Sequence, residues 1–120
     1  MYVPSMAETI RSFIFQQTEY WNAGNKEAFI DLYRNVAPKG LRIEYIGQPV
    51  ADGWQVLDRM WETYNGLVEV EIGDILVNGN EGACYFRNVL LEDGTVNPTI
   101  EIYRFENETL DIRYFYRHHT

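Results

Sequence analysis

Three stretches in the first half of the chain place inward-facing residues at helical spacing. The first helix is predicted to begin after Ser5, which has capping-box spacing to Glu8, and to end at Gly24, a residue type suited to a left-handed helix end. Asn25 is expected to cap a second helix that runs through Tyr33. The predicted inward faces are Ile10, Phe13, Ile14, Gln17 and Trp21 in the first helix and Phe29, Leu32 and Tyr33 in the second.

A third helix is predicted to follow Asp52, which is placed to cap it with Gln55 at the reciprocal capping position. The dipeptide NG at 65–66 is expected to end this helix. Between the second and third helices, LRIEYI at 41–46 predicts a short strand. The apolar stripe of the third helix is Val56, Leu57, Met60, Trp61 and Tyr64.

The second half of the chain alternates in the manner of strands, with hairpin-type connections at NGNEG, EDG and ENET. Helices followed by an antiparallel meander predict an α+β domain with helices on one face of the sheet. Pro98 cannot donate a ladder hydrogen bond and therefore predicts an edge position or a bulge, which would bend the sheet around a cavity. The four longer strands are predicted at about 68–77, 82–91, 95–105 and 110–117.

Composition and charge limit the possible partners. The chain of 120 residues suits one domain, 1–120, and is 46% apolar. Its formal net charge of −8 makes nucleic acid and anionic membrane surfaces poor partners. No apolar stretch approaches the roughly 20 residues of a membrane helix, and the first residues lack a signal-peptide pattern. Cys84 is the only cysteine, which excludes an internal disulfide, so we expect a cytoplasmic protein.

Three sequence stretches in this order resemble the NTF2-like superfamily, and in particular its SnoaL-like and ketosteroid-isomerase-like members. They are EYWNAGNKEAFIDLY, then GWQVLDRMW, then IEIYRFENETLDIRYFY near the end of the chain. The resemblance implies a cone in which three N-terminal helices pack on a bent, mostly antiparallel sheet that encloses a pocket. The superfamily is functionally diverse, so the implied fold does not settle the activity.

The resemblance to ketosteroid isomerases carries their site positions onto this chain one at a time. The helix-one tyrosine of those enzymes falls on Gln17, and the general-base aspartate falls on Tyr45. The acid that donates to the substrate oxyanion falls on Glu101. Two further pocket tyrosines fall on Tyr33 and Trp61. The chain therefore departs from the isomerase set at Gln17, Tyr45 and Glu101, and the Asp-Arg-Asp set of limonene epoxide hydrolases is also absent.

Two arguments disagree about the direction of Glu101 in the stretch PTIEIYRF. Alternation alone would bury Ile100 and Ile102 and place Glu101 on a solvated face. The resemblance implies the reverse, with an outer face (Val89, Leu91, Ile100, Ile102 and Phe115) that forms a homodimer surface. The residues it turns inward are Cys84, Phe86, Asn88, Leu90, Asn97, Thr99, Glu101, Tyr103, Ile112, Tyr114 and Tyr116.

If Glu101 faces inward, desolvation raises its pKa, and it can then donate a proton or accept one. It can equally be a structural acid held by neighbouring hydroxyl and amide groups. Tyr45 either orients substrate or fills the mouth of the cavity. We expect the other residues of the site to bind substrate: Gln17, Tyr33, Trp61, Phe86, Asn88, Asn97, Thr99, Tyr103, Tyr114 and Tyr116.

The sequence favours a small acid–base enzyme of isomerase, dehydratase or polyketide-cyclase type. Its substrate would be a hydrophobic aromatic or polycyclic compound with a carbonyl or hydroxyl group. The alternative is a non-catalytic small-molecule-binding or dimeric assembly module. No cofactor or metal is expected, since His118 and His119 have no cysteine or acidic partner at metal-ligand spacing and suggest a frayed tail.

Overall fold

The computed structural model describes residues 2–117, so His118 and His119 lie outside the described residues. Three helices precede or interrupt the strands, as the sequence predicts. The predicted strand limits differ from the observed ones by about one residue at most ends. The elements are α1 (Met6–Ala23), α2 (Lys26–Val36), β1 (Gly40–Tyr45), β2 (Ala51–Asp52), α3 (Gly53–Tyr64), β3 (Val68–Asn78), β4 (Glu81–Leu90), β5 (Val96–Glu106) and β6 (Thr109–Tyr116).

The two ends of α1 follow the local sequence signals. Ser5 Oγ accepts a hydrogen bond from the Glu8 amide at 3.1 Å, and the Glu8 carboxylate accepts one from the Ser5 amide at 3.3 Å, which completes the capping box. Gly24 ends the helix with φ +70°, in the left-handed region. The inward face predicted for α1 is buried throughout, together with Thr18, which the periodicity did not single out.

The other two helices differ from the prediction at one end each. The Asn25 side chain caps α2 by accepting from the Ala28 amide at 3.1 Å, but α2 continues beyond Tyr33 to Val36. The predicted side-chain cap at Asp52 is wrong: Asp52 makes no capping hydrogen bond and belongs to the two-residue strand β2. The first residue of α3 must be glycine, because a Cβ on Gly53 would lie 2.3 Å from Leu41 Cγ.

The strands form one sheet of six in the order β2-β1-β6-β5-β4-β3. The β1–β6 pair is parallel and the other pairs are antiparallel. The helices pack on one face of this sheet, and the core between the two layers is rich in aromatic side chains. The structure is thus the α+β cone expected from the resemblance. None of the helices in residues 2–117 is both long and apolar enough to cross a membrane.

The bulge lies on a different strand from the one that Pro98 suggested. Pro98 pairs in regular register with Arg87 of β4, and β6 ends opposite Thr99, so Pro98 occupies a local edge without a bulge. The register shifts on β3 instead, where Gly73 and Asp74 together lie opposite Tyr85. A Cβ on Gly73 would lie 2.8 Å from the Tyr85 ring, so the bulge needs glycine there.

Candidate functional site

A cavity of about 320 Å³ lies between the helices and the inner face of the sheet. Its exposed members, Tyr64, Asn97 and Tyr116, mark the side on which it opens. All three helices and five of the six strands contribute to its wall. The lining residues are Gln17, Thr18, Trp21, Phe29, Tyr33, Tyr45, Met60, Tyr64, Val68, Val70, Phe86, Asn88, Asn97, Thr99, Glu101, Tyr114 and Tyr116.

Glu101 faces this cavity, so the outward direction that alternation alone predicts for it is wrong. Its side chain is part-buried in the wall, whereas Ile100 on the outer face of the sheet is 46% exposed. In the strand register Glu101 lies between Cys84 of β4 and Tyr114 of β6, which are both buried. The sheet is apolar on both faces at this point, and therefore hydrophobicity did not distinguish the two directions.

A chain of hydrogen bonds in the cavity wall leads to Glu101, whose carboxylate is the final acceptor. One carboxylate oxygen accepts from the Tyr103 hydroxyl at 2.6 Å and the other from Thr99 Oγ1 at 3.0 Å. Thr99 Oγ1 in turn accepts from the amide nitrogen of Asn88 at 3.1 Å. The same nitrogen donates to the Asn97 carbonyl at 2.8 Å. Donors therefore meet both oxygens of Glu101, which stabilises its ionised form.

Burial outweighs these hydrogen bonds in setting the acidity of Glu101. Desolvation raises its pKa from the ordinary 4.5 to about 7, while the bonds from Tyr103 and Thr99 lower it. Desolvation raises the pKa of Tyr45 and that of the Cys84 thiol to about 12, with the Glu101 charge as the next cause. The same two causes raise the pKa values of three buried tyrosines: Tyr33, Tyr103 and Tyr114. The groups around Glu101 thus stay protonated at neutral pH.

A second set of hydrogen-bonded polar side chains lines the helical side of the cavity. The Tyr33 hydroxyl donates to Gln17 Oε1 at 3.1 Å, and Gln17 Nε2 donates to Thr18 Oγ1 at 2.8 Å. The Thr18 hydroxyl in turn donates a hydrogen bond to the Ile14 carbonyl oxygen at 2.9 Å. Gln17 is thereby held in one orientation, and one of its two amide hydrogens stays available to a bound molecule.

The structure brings most of the predicted site residues together. Trp61 and Tyr103 are the exceptions, because neither lines the cavity. Trp61 packs in the core at 5.2 Å from the Trp21 ring and 5.1 Å from the Phe29 ring. Tyr103 is fully buried against Phe13, and only its hydroxyl reaches the site, through Glu101. The predicted residues in the wall are Gln17, Tyr33, Tyr45, Phe86, Asn88, Asn97, Thr99, Glu101, Tyr114 and Tyr116.

The sequence did not mark seven of the lining residues as part of the site. Four of them belong to helix faces that were predicted to be inward, but periodicity cannot separate a cavity wall from a packed core. Val68 and Val70 alternate on β3, and Thr18 follows Gln17 without a periodic signal of its own. The seven residues are Thr18, Trp21, Phe29, Met60, Tyr64, Val68 and Val70.

The described wall of the cavity contains no recognisable ligand set for a metal. Within residues 2–117 no three His, Cys, Asp or Glu side chains are grouped as they would be to hold an ion. Glu101 is the only carboxyl group in the cavity wall that the structure describes. The arrangement suits proton transfer and hydrogen bonding to a mostly apolar molecule.

Solved structures share this fold at low sequence identity. An NTF2-like protein of unknown function from Cytophaga hutchinsonii has a TM-score of 0.69 at 10% identity, with 98% of this chain and 95% of that chain covered. A candidate SnoaL-like polyketide cyclase from Jannaschia sp. CCS1 has a TM-score of 0.70 at 15% identity, with 88% and 83% covered. A de novo designed protein with a curved β-sheet has a TM-score of 0.71 at 17% identity, with 90% and 84% covered.

These similarities establish that the chain has the NTF2-like fold. No protein-family model and no curated protein matches its sequence. A designed protein matches about as well as the natural ones, and a shared fold does not by itself imply a shared activity. Any function must therefore be argued from the cavity.

Proposed function

We propose that the protein is a small acid–base enzyme that acts on a hydrophobic, aromatic or polycyclic carbonyl or hydroxyl compound, with Glu101 as its general base. The observation that carries the proposal is a single carboxylate in the wall of a mostly apolar cavity, oriented by two donors and with its pKa raised to about 7. A general base is most effective when its pKa lies near the working pH.

In this proposal Glu101 takes a proton from the carbon next to a substrate carbonyl. The electron pair of the broken C–H bond moves into the carbonyl, which becomes an enolate. The hydroxyls of Tyr45 and Tyr114 have no hydrogen-bond partner in residues 2–117 and are free to donate to that oxygen. Return of the proton at another carbon gives isomerisation, loss of a hydroxyl gives dehydration, and attack on a second carbonyl gives cyclisation.

The shape and lining of the cavity support a hydrophobic substrate. Eight of its seventeen lining residues are aromatic, and Met60, Val68 and Val70 add further apolar surface. Such a wall excludes water, which strengthens hydrogen bonds to a developing enolate. The similarity to a candidate SnoaL-like polyketide cyclase favours the same class of substrate.

A second candidate function is a non-catalytic small-molecule-binding module. It is favoured by the absence of a second carboxyl or any imidazole from the described lining, since Glu101 alone would have to carry both proton transfers. Such a module would bind its ligand without turnover, and the replacement of Glu101 by glutamine would leave binding of a neutral ligand almost unchanged.

Tyr103 acts in this proposal as a positioning residue, because it contacts Glu101 and does not line the cavity. Its hydrogen bond lowers the pKa of Glu101, so Tyr103→Phe should shift the titration of that carboxyl to higher pH. The measurement is an NMR titration of protein with ¹³C-labelled glutamate carboxyls. Tyr85→Phe, on the exposed outer face, is the matched control and should leave the titration unchanged. An unshifted titration in Tyr103→Phe would exclude this role.

We also propose that the protein forms a homodimer through the outer face of its sheet. Tyr85, Ile100 and Phe115 lie side by side there on three neighbouring strands, and they are 40%, 46% and 37% exposed. A contiguous exposed apolar patch of this kind marks an interaction surface.

Analytical ultracentrifugation at micromolar concentration tests the dimer. We expect a dimer for the unmodified protein and a monomer for Ile100→Asp, because a carboxylate buried in an apolar interface would lose its hydration without a partner. Phe15→Asp introduces the same charge at a 54% exposed site on α1 and should leave the dimer intact. A monomeric unmodified protein would contradict the proposal.

A further inference from the structure

Within residues 2–117 no cationic side chain lies in the cavity wall beside the Glu101 carboxylate. The described wall of the cavity contains no lysine, arginine or histidine, and the two partners of Glu101 are the neutral hydroxyls of Thr99 and Tyr103. A carboxylate in an apolar cavity is costly when it lacks a positive partner. A bound molecule that brought a positive charge would supply what this wall lacks.

The same cavity wall contains a second acceptor, the side-chain oxygen of Asn88. Asn88 uses its amide nitrogen for two hydrogen bonds within the wall, one to Thr99 and one to the Asn97 carbonyl. Its oxygen accepts no hydrogen bond from the residues that the structure describes, so what Asn88 still offers is an acceptor. The Thr99 hydroxyl bonds to both the Asn88 amide nitrogen and the Glu101 carboxylate, so the two acceptor residues are linked through one hydroxyl in the same wall. An ammonium group has three N–H donors and matches such a pair.

The rest of the wall suits a cation with an apolar body. Aromatic side chains such as Trp21, Phe29 and Phe86 line the cavity, and the negative face of an aromatic ring attracts a cation. The apolar surface around them would bury a hydrocarbon skeleton. The overall charge of −8 adds a weaker attraction for positively charged molecules.

We propose that this cavity binds a protonated amine carried on an aromatic or other apolar skeleton, with its ammonium group between Glu101 and Asn88. The proposal rests on the cavity used for the proposed function, but it does not require turnover. An amine bound in this way would occupy the general base and therefore compete with a neutral carbonyl substrate.

Only Glu101 is expected to change its charge in response to such a ligand. The titratable groups that face it are Tyr33 on α2, Cys84 on β4, Tyr103 on β5, and Tyr45 and Tyr114 on β1 and β6, all with raised pKa values. Tyr64 on α3 and Tyr116 on β6 also line the cavity, whereas α1 and β3 contribute no titratable group to it. The charge of Arg59 lowers the pKa of Tyr45 against the larger effect of burial. Below pH 7 an amine must displace the Glu101 proton, so binding releases that proton to the buffer.

Tryptamine and tryptophol provide a matched pair of ligands for the test, since they differ only in an ammonium group against a hydroxyl. In isothermal titration calorimetry at pH 8 we expect tryptamine to bind at least about tenfold more tightly than tryptophol. Between pH 8 and pH 6 the affinity for tryptamine should fall about tenfold, with proton release at pH 6, while tryptophol binding stays constant. Titration in two buffers of different ionisation enthalpy measures the released proton.

Glu101→Gln should reduce the affinity for tryptamine to that for tryptophol. Glu69→Gln removes one negative charge from an exposed position on β3 and should keep the preference, which separates the cavity from the overall charge. Equal affinities in the unmodified protein, undetectable tryptamine binding, or a preference that survives Glu101→Gln would each overturn the proposal. If the protein showed no preference for tryptamine but still removed a proton from a ketone, the amine proposal would fail and the proposed function would stand.

Discussion

Glu101→Gln is expected to abolish proton abstraction from an enolisable ketone while the protein stays folded. The substitution preserves the size and shape of the side chain, and the amide oxygen can still accept one of the two hydrogen bonds that Thr99 and Tyr103 donate, but an amide cannot take the proton. Loss of a general base typically costs about 10²- to 10⁴-fold in rate. The measurement is deuterium incorporation into 2-tetralone in D₂O, followed by NMR, because it detects proton removal whatever the natural product is.

The control for this experiment is again Glu69→Gln, which should exchange the ketone protons as fast as the unmodified protein does. The pH dependence supplies a second check: the exchange rate should rise with pH and level off above about 7, where Glu101 is ionised. Exchange that continues undiminished in Glu101→Gln would remove Glu101 as the base. No acceleration by the unmodified protein with any enolisable ketone would favour the binding module.

The second large effect is a loss of stability as Glu101 ionises. The folded protein binds the Glu101 proton more tightly than the unfolded chain does, since the pKa rises from 4.5 to about 7 on folding. The contribution of this group is therefore favourable below pH 4.5, declines as the pH rises, and is fully lost above about 7. At 1.36 kcal/mol for each pKa unit, the decline is about 3 kcal/mol.

Urea unfolding of the unmodified protein and of Glu101→Gln across this pH range isolates the effect, because all other titrating groups are common to both. The free energy of unfolding of Glu101→Gln minus that of the unmodified protein should increase by about 3 kcal/mol between pH 4.5 and pH 8. A difference that stays flat with pH, or that changes in the opposite direction, would show that Glu101 is not desolvated in the folded protein.

Features governed by residues close in sequence could be predicted from the sequence. The capping box of Ser5 and Glu8 and the left-handed end at Gly24 depend on hydrogen bonds within one or two helical turns, and both are present. The inward face of α1 follows from the helical period and is buried as predicted. Asp52 shows the limit of such reasoning, because pairing of β2 with β1 involves residues about ten positions away and decides the entry into α3.

The shape of the site depended on partners distant in the chain. Gly73 and Asp74 bulge against Tyr85, a cross-strand neighbour that no local signal identifies, whereas Pro98 lies in regular register. Trp61 and Tyr64 belong to one predicted stripe, yet Trp61 packs into the core and Tyr64 lines the opening of the cavity. The difference follows from their neighbours: Trp61 packs against Trp21 and Phe29, whereas Tyr64 is exposed at the cavity.

The sequence by itself determined the order of the three helices and of five of the six strands, both ends of α1 and the buried face of that helix, because these follow from periods of two and of 3.6 and from local capping. Only the tertiary structure decided which of those residues surround empty space and which way Glu101 turns. Alternation would have placed Glu101 outside, since isoleucines flank it on both sides. Both faces of the sheet are apolar at that strand, and so the direction of the carboxylate was set by the packing of helices and neighbouring strands around it.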